Sequence, residues 1–279
     1  MTLTDSLLAA FQAQFGMPPS HGATAPGRIN ILGEHVDYNH GWALPAAVDC
    51  AVYFAASQAN RHSWYAQDLE EQHQPADLKQ PGECGWANYL LGVIDAFERR
   101  GIPVPPLSLT FTSTIPMGAG LSSSAALCSG FALLLQEFCS TAFSRTELAL
   151  IAQESEPRFA GVHCGLMDQY ASLHGVAHSA LFLDCLTHHH QVIPAHLPGH
   201  TWLVVNSGVK HAHAEGAYNA RRAAAEAAFA SLQAAAPGLT TWRDVREVHL
   251  ATLSDAPEAQ QRAARFIVGA LRRSREAGE

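Results

Sequence analysis

Apolar and polar residues recur along this chain with changing periods, and those periods predict a mixture of helices and strands. Residues 4–15 have the apolar spacing of a helix that ends at Gly16. Residues 43–57 are rich in apolar, β-branched and aromatic side chains, which predicts one or two strands. Residues 86–100 predict a second helix, with Gly101 placed to end it.

The middle of the chain predicts a strand, a loop and a buried helix in direct succession. In LSLTFTST, residues 107–114, apolar and hydroxyl side chains alternate, which predicts a strand with one buried face. The glycine- and serine-rich residues 116–124 follow, and residues 125–138 are apolar on nearly all sides, as in a buried helix. SRTE at residues 144–147 is a capping box that opens a further helix.

The remainder of the chain continues the irregular alternation of strands and helices, without a repeat. This pattern predicts an α+β fold in two lobes, whose boundary falls between residues 175 and 200. Two strands and two helices are predicted here, at residues 180–185, 201–206, 218–235 and from about residue 260.

Charge and hydropathy exclude several classes of partner. The net charge is −8, and the 17 lysines and arginines are scattered apart from a small cluster at Arg272, Arg273 and Arg275. Because no basic face follows from this distribution, we expect no nucleic-acid partner. No apolar stretch reaches membrane-spanning length, and the N-terminus lacks a basic segment, so we expect neither a membrane partner nor a signal peptide.

The cysteines and histidines add no metal centre to this picture. None of the six cysteines forms a CxxC pair, which predicts reduced thiols and a cytoplasmic location. His188, His189 and His190 are consecutive, and we interpret them as an exposed turn between strands with adventitious metal affinity, because no ligand spacing accompanies them.

The segment PMGAGLSSSAAL, residues 116–127, has the composition of a phosphate-binding loop. A strand leads into it and a buried helix leaves it, and a helix N-terminus favours anions through its dipole and its free N–H groups. It has no lysine, but a serine hydroxyl can bind Mg²⁺, which supplies the positive charge instead. The alternative is a flexible turn followed by a serine N-cap.

Three other stretches favour the functional interpretation. Residues 25–49 place several polar donors and acceptors within an apolar segment, as a sugar's hydroxyls require. In residues 161–172, Asp168 stands among apolar and small residues, where a carboxylate needs a cation or a function. Residues 206–222 form a polar loop between a predicted strand and a helix.

Together the four stretches resemble galactokinases, a family in the GHMP superfamily of small-molecule kinases. Residues 27–46 are similar to the family signature GRxNxIGEHxDYNxGxxLPxA, with Leu32 for the usual isoleucine. PMGAGLSSSAA resembles the superfamily's lysine-free phosphate loop, CGLMDQ the acid motif, and NSGVKH with YNARR the sugar-side loop. The resemblance covers about residues 8–275. The signature is specific to galactokinases, whereas the loop alone would indicate only some GHMP kinase.

The resemblance implies ATP-dependent phosphorylation of galactose at its anomeric hydroxyl, with galactose and ATP as partners and Mg²⁺ as cofactor. Asp168 would face the 1-hydroxyl, as a base or as an electrostatic partner, with Arg28 beside it to keep it ionised. Ser124 and Glu156 would bind Mg²⁺, and Trp86 would lie near the adenine. The residues that would hold the sugar are Glu34, His35, Val36, Asp37, Gly165 and Tyr218. The residues that would wrap the phosphates are Gly118, Ala119, Gly120, Leu121, Ser122, Ser123 and Ser124.

The sequence departs from the family pattern in two ways. His163, Gly208 and Ala217 replace the family's usual residues near the sugar loops, which affects sugar affinity and preference rather than the chemistry. Nothing after residue 240 resembles the superfamily's third motif, TGxGxGGC. The resemblance therefore implies a truncated galactokinase, with residues 1–178 as a complete N-terminal lobe and residues 179–279 as a partial C-terminal lobe.

We accordingly expect a monomer whose turnover is absent or marginal. Two alternatives stay open: a catalytically inert sugar- and ATP-binding protein or remnant, and an N-acetylgalactosamine kinase.

Overall fold

Two β-sheets organise the chain, which the computed structural model describes over residues 2–206 and 214–278. The first sheet has the strand order β1-β3-β6-β4-β5, and its neighbours are antiparallel except for β4 and β6. The second, antiparallel sheet has the order β2-β7-β8. The strands are β1 (His21–Asn30), β2 (Trp42–Ala43), β3 (Pro45–Gln58), β4 (Ser63–Ala66), β5 (Glu71–His73), β6 (Leu107–Ser113), β7 (Ser179–Asp184) and β8 (His189–Pro194).

Helices cover both faces of the five-stranded sheet. The helix α3 packs against β1 and β3 and contacts α2, α4 and α5, while α1 packs against β3 and β6. Neighbouring residues of β3 reach the two sides, because Phe54 belongs to the main core and Ala55 contacts the cluster that includes Phe11 of α1. The helices are α1 (Leu3–Phe15), α2 (Gly85–Glu98), α3 (Ser123–Phe138), α4 (Arg145–Ser155), α5 (Met167–His174), α6 (Ala214–Ala235) and α7 (Glu258–Gly278).

Local signals placed several of these helices correctly. Gly16 ends α1 in the left-handed conformation, with φ of 71°. Ser144 and Glu147 form the expected capping box before α4. The helix α3 is buried over most of its length, as its apolar sequence predicted.

The strand β6 is buried on both faces, so the prediction of a single buried face was wrong. Ser108 and Thr110, on the supposed polar face, are 6% and 0% exposed. The reason is tertiary: β6 lies in the centre of the sheet, and α1 covers the face that the sequence pattern left for solvent. Hydroxyl side chains are small enough to be accommodated beneath that helix.

The prediction of a strand at residues 201–206 was also wrong. In the described part of the chain these residues pair with no strand, and Leu203 and Val205 are 84% and 73% exposed. Their β-propensity was the only signal, and propensity does not form a strand without a neighbouring strand to accept its hydrogen bonds. The second sheet is completed instead by β8, which begins within the histidine run that we expected to be a turn.

The helices α6 and α7 pack on each other and form a separate core beside the second sheet, where α7 contacts β2. Val36, from the polar segment after β1, is fully buried in that core. The segment that resembles the galactokinase signature therefore begins in β1 of the first sheet and places Val36 in the core formed by α6 and α7. Within the described residues, no helix is both long enough and apolar enough to span a bilayer.

Candidate active site

The loop between β6 and α3 has an unusual backbone, with left-handed φ values at every second residue. Gly118, Gly120 and Ser122 have φ of 71°, 74° and 57°. A Cβ at either glycine would meet no atom within 4 Å, so the glycines serve the backbone conformation rather than close packing. Ser122 precedes α3 but makes no capping hydrogen bond, so the alternative of a simple serine N-cap does not describe this loop.

Arg28 and Asp168, which are 140 residues apart in sequence, form a bidentate ion pair. Arg28 donates from Nε to Oδ1 at 2.7 Å and from Nη2 to Oδ2 at 2.6 Å. The register of β1 against β3 shifts between Pro26 and Arg28, and such irregularities re-aim side chains. The side chains of Arg28 and Asp168 are 14% and 23% exposed, which leaves the pair open to a ligand. The cation that Asp168 required is therefore Arg28.

The ion pair is bonded directly to the loop. Arg28 donates from Nη1 to the carbonyl of Gly120 at 3.0 Å, and its backbone N–H donates to the carbonyl of Leu121 at 3.0 Å. Gly27 permits this approach, because a Cβ there would lie 2.6 Å from the same Leu121 oxygen. Ser122 donates from Oγ to Oδ2 of Asp168 at 2.5 Å. The loop and the ion pair thus form one connected unit.

A buried carboxylate, Glu156, is bonded to the last serine of the loop. Ser124 donates to its Oε2 at 3.3 Å, and Gln169 donates from Nε2 to its Oε1 at 2.7 Å. Glu156 is 3% exposed, and burial, followed by the charge of Asp168, raises its pKa to about 7. Sequence reasoning missed Gln169, whose only signal was its place beside Asp168 in the acid motif.

The oxygen atoms of Glu156 and Ser124 are suitable ligands for Mg²⁺. A carboxylate and a hydroxyl are oxygen ligands, and Mg²⁺ is usually bound by one or two carboxylates together with substrate phosphates rather than by a full protein cage. A buried carboxylate with a raised pKa lacks a compensating cation, and a divalent ion beside it would supply one. Among the described residues, no group of three or more His, Cys, Asp or Glu side chains could hold a metal ion, and this applies to the histidine run as well.

Asp37 forms a second carboxylate centre close to Asp168. It opens a 3₁₀ turn and accepts backbone hydrogen bonds, including one from Met167 at the start of α5. Burial, followed by the charge of Asp168, raises the pKa of Asp37 to about 6. Its carboxylate packs against Gly165, where a Cβ would overlap the oxygens. A glycine is therefore required at residue 165 by space, which sequence alone could not show.

The other residues predicted to hold the sugar are His35, Tyr218, Glu34 and Val36, and they differ in their surroundings. His35 hydrogen-bonds through Nδ1 to the Tyr38 hydroxyl at 2.9 Å, and its ring lies 5.2 Å from that of Tyr218. Burial raises the pKa of Tyr218 and lowers that of His35. Glu34 is exposed and, with His35, lines a cavity of about 700 Å³ between α6 and α7. The side chain of Val36 points into the core, so only its backbone could meet a ligand.

Trp86 stands apart from this cluster, at the start of α2. Its ring is partly buried and lies edge-on to that of Phe111, with the centroids 5.3 Å apart. Its Nε1 donates to Glu71 at 2.9 Å. Phe111 belongs to β6, the strand that leads into the loop, so Trp86 lies on the approach to the loop rather than within the connected unit.

The helix α6 is bonded to the segment that precedes α5. Asn219 accepts from the backbone N–H of His163 at 3.1 Å, and Arg222 donates to the His163 carbonyl at 2.8 Å. Sequence reasoning quoted these two residues but assigned them no role. Ala217 is exposed on α6, and Gly208 lies outside the described residues, as does most of the polar loop that was predicted from residue 206.

Comparisons with known proteins agree with this arrangement. A family model for the GHMP kinases N terminal domain matches residues 88–176, and a model for the galactokinase galactose-binding signature matches residues 9–58. Galactokinases of Thermotoga petrophila and Chloroflexus aurantiacus are 39% and 38% identical over 230 and 251 residues, which is 82% and 88% of this chain. In both cases the chain spans 64% of the length of the curated relative.

Solved structures show the same fold. The crystal structure of Lactococcus lactis galactokinase complexed with galactose matches with a TM-score of 0.85 and 24% identity, over 99% of this chain and 74% of that one. A D-glycero-D-manno-heptose 1-phosphate kinase from Bacteriodes thetaiotaomicron matches with a TM-score of 0.53 and 22% identity, over 62% of this chain and 59% of that one. The fold is that of the GHMP kinases. Within that superfamily, the chain belongs to the galactokinase family.

Proposed function

We propose that this protein transfers the γ-phosphoryl group of ATP to the anomeric hydroxyl of galactose, giving galactose 1-phosphate and ADP. Support comes from the curated galactokinase relatives, from the matched galactose-binding signature and from a structural relative whose crystals contain galactose. The observation that carries the proposal is the hydrogen-bonded unit of Arg28, Asp168 and Ser122. It joins the residue expected at the sugar hydroxyl to the loop expected at the phosphates.

In this proposal Asp168 acts on the 1-hydroxyl of galactose. It accepts the O1 proton, or holds the hydroxyl in line, as the O1–phosphorus bond forms and the bond from phosphorus to the ADP oxygen breaks. Arg28 stabilises the negative charge of Asp168 and the charge that develops during transfer. The backbone N–H groups of residues 118–124 and the N-terminus of α3 bind the phosphates, and Trp86 lies near the adenine.

Ser124 and Glu156 are proposed to hold Mg²⁺ with the ATP phosphates. The bound cation neutralises phosphate charge and takes the place of the lysine that this loop lacks. Glu156 must be ionised to bind the cation. The hydrogen bond from Gln169 lowers the pKa of Glu156 and so favours the ionised form, whereas burial raises that pKa.

The sugar hydroxyls are proposed to meet Glu34, His35, Asp37 and Tyr218, together with the backbone at Val36 and Gly165. Asp37 is the central acceptor, because of these two carboxylates it is the half-buried one that interacts with Asp168, whereas Glu34 is exposed. We also propose a monomer that works in the cytoplasm, which the six free cysteines support. The proposed lobe boundary at residue 178 is supported by the start of β7 at Ser179.

The test is galactose-dependent release of ADP by the purified 279-residue chain, with Asp168→Asn as the blank. We expect at most marginal turnover above that blank in this chain. In a chain that carries the third motif, we expect Asp168→Asn to lose at least about a hundredfold, the scale of general-base catalysis. Galactose and ATP binding without turnover would make the chain a binding protein instead. A preference for N-acetylgalactosamine over galactose would make the chain an N-acetylgalactosamine kinase. Robust turnover would overturn the expectation of marginal activity without the third motif.

A further inference from the structure

Ser122 has a conformation and a partner that a phosphate-binding serine does not require. It is a non-glycine residue in the left-handed region, with φ of 57° and ψ of 53°, at the position that precedes α3. A serine at that position ordinarily has an extended backbone and caps the helix with its hydroxyl. Here the capping bond is missing, and the strained backbone is compatible with a different destination for the hydroxyl.

That destination is Asp168. The Ser122 hydroxyl donates to Oδ2 at 2.5 Å, and the same oxygen accepts from Nη2 of Arg28 at 2.6 Å. Hydrogen bonds to a carboxylate are short and strong because the acceptor is charged. The fork of Arg28 fixes the plane of the carboxylate, and Ser122 adds a third bond that comes from the loop rather than from β1.

The neighbouring residues of the loop are bound to the same ion pair. Gly120 and Leu121 offer their carbonyl oxygens to the side chain and the backbone of Arg28, each at 3.0 Å. Three consecutive loop residues therefore contact Arg28 or Asp168. Any change in the position of the loop is transmitted to the carboxylate through Ser122.

We propose that Ser122 is a positioning residue that holds Asp168 for its reaction with the sugar hydroxyl, and that its hydroxyl is not a phosphate ligand. This inference rests on the proposed function, and it departs from the phosphate-binding role that the family resemblance implies for Ser122. Its physical content is that removal of the hydroxyl changes what Asp168 does and leaves the affinity for ATP unchanged.

The first experiment compares Ser122→Ala with Ser122→Gly. Both variants remove the hydroxyl, whereas only glycine relieves the left-handed backbone. We expect kcat to fall about tenfold in both, the scale of one hydrogen bond to a charged group, with KM for ATP unchanged. Calorimetric titration should give the wild-type Kd for ATP. A weaker Kd for ATP with unchanged kcat would place the hydroxyl on the phosphates and overturn the proposal, as would wild-type kcat in either variant.

The second experiment does not depend on turnover, so it separates this inference from the proposed function. Ser122→Ala should lower Tm in the wild-type background and have no effect on Tm in an Asp168→Ala background, where the acceptor is gone. Ser172→Ala is the matched control. Ser172 lies on α5, as Asp168 does, and its hydroxyl donates to the Pro26 carbonyl at 2.7 Å rather than to Asp168.

The control should lower Tm equally in both backgrounds. If Ser122→Ala lowers Tm equally in both, the hydrogen bond to Asp168 does not exist in solution and the inference fails, whatever the assay of ADP release shows. If the chain neither binds galactose nor shows turnover, but Ser122 and Asp168 are coupled and the ATP affinity is unchanged, the proposed function fails and the assignment of Ser122 to Asp168 stands.

Discussion

Asp37 allows the strongest quantitative test, because its carboxylate is held at a cost to stability. The ordinary pKa of 3.8 is raised to about 6, first by burial and then by the negative charge of Asp168. Asn is nearly the same size and carries no charge. The substitution Asp37→Asn therefore removes a charge that the fold stabilises poorly and that the proposed sugar site requires.

The sign of the effect follows from the direction of the shift. Because the folded state binds this proton more tightly than the unfolded state, the stabilisation is complete below pH 3.8 and is lost as the pH rises through about 6. Between pH 5 and pH 8 the wild-type protein should lose about 1.4 kcal/mol of unfolding free energy through this one group. Asp37→Asn has no such loss, so its stability relative to wild type should rise by the same amount.

The measurement is urea unfolding of both proteins at pH 5 and pH 8 without ligand. Effects of Asn that do not depend on pH, such as altered hydrogen bonds, cancel in the difference between the two pH values. The control is Asp244→Asn. Hydrogen bonds from Thr240 and Thr241 lower the pKa of Asp244 to about 2 in the folded protein, so Asp244 is ionised in both the folded and the unfolded state throughout this pH range. Its stability relative to wild type should be flat between the two pH values.

Function supplies the second half of this test. If Asp37 accepts hydrogen bonds from galactose, the variant that is relatively more stable at pH 8 should bind galactose roughly tenfold or more weakly. Equal stability differences at pH 5 and pH 8 would refute the reasoning about charge. Unchanged galactose affinity would show that the carboxylate is structural.

Three further predictions concern the same site. Ser124→Ala and Glu156→Gln should each raise the Mg²⁺ concentration needed for ATP binding and leave galactose binding to the nucleotide-free protein unchanged; a titration with the opposite pattern would move both residues to the sugar side. Gly165→Ala should abolish galactose binding, because a Cβ there overlaps Asp37, and wild-type affinity in that variant would contradict the packing. Galactose should outcompete glucose, its 4-epimer, by a large factor, since a site that hydrogen-bonds a hydroxyl rejects a sugar that leaves those groups unpaired; equal affinities would leave only a sugar kinase.

Local rules predicted the elements whose signals are local. Gly16, the capping box at residues 144–147 and the apolar surface of α3 involve interactions within a few residues, and the structure confirms them. The exposed stretch at residues 201–206 and the doubly buried β6 were predicted wrongly for one reason. Whether a strand pairs, and which of its faces is covered, depends on elements far away in sequence, and the coverage of β6 by α1 spans about a hundred residues.

The candidate site shows the same division. Sequence motifs identified the carboxylates. The expectation that Asp168, among apolar and small residues, needs a cation was a physical argument, and Arg28 supplies that cation. No motif could show that Gly165 exists to make room for Asp37, or that the hydroxyl of Ser122 turns away from its helix. Both facts depend on contacts across the fold, at distances of a few ångström that spacing along the chain does not encode.

The first turn of α5 explains why these contacts belong together. Asp168 and Gln169 are neighbours on that helix, so their side chains diverge by about 100° around its axis. Asp168 meets Ser122 on one side, and Gln169 meets Glu156, and through it Ser124, on the other. One helical turn therefore holds Ser122 directly and Ser124 through Glu156, and a shift of α5 would move the candidate base together with the amide that bonds to the candidate metal ligand. The short helix α5, together with the loop, therefore positions the carboxylate of Asp168 relative to that of Glu156.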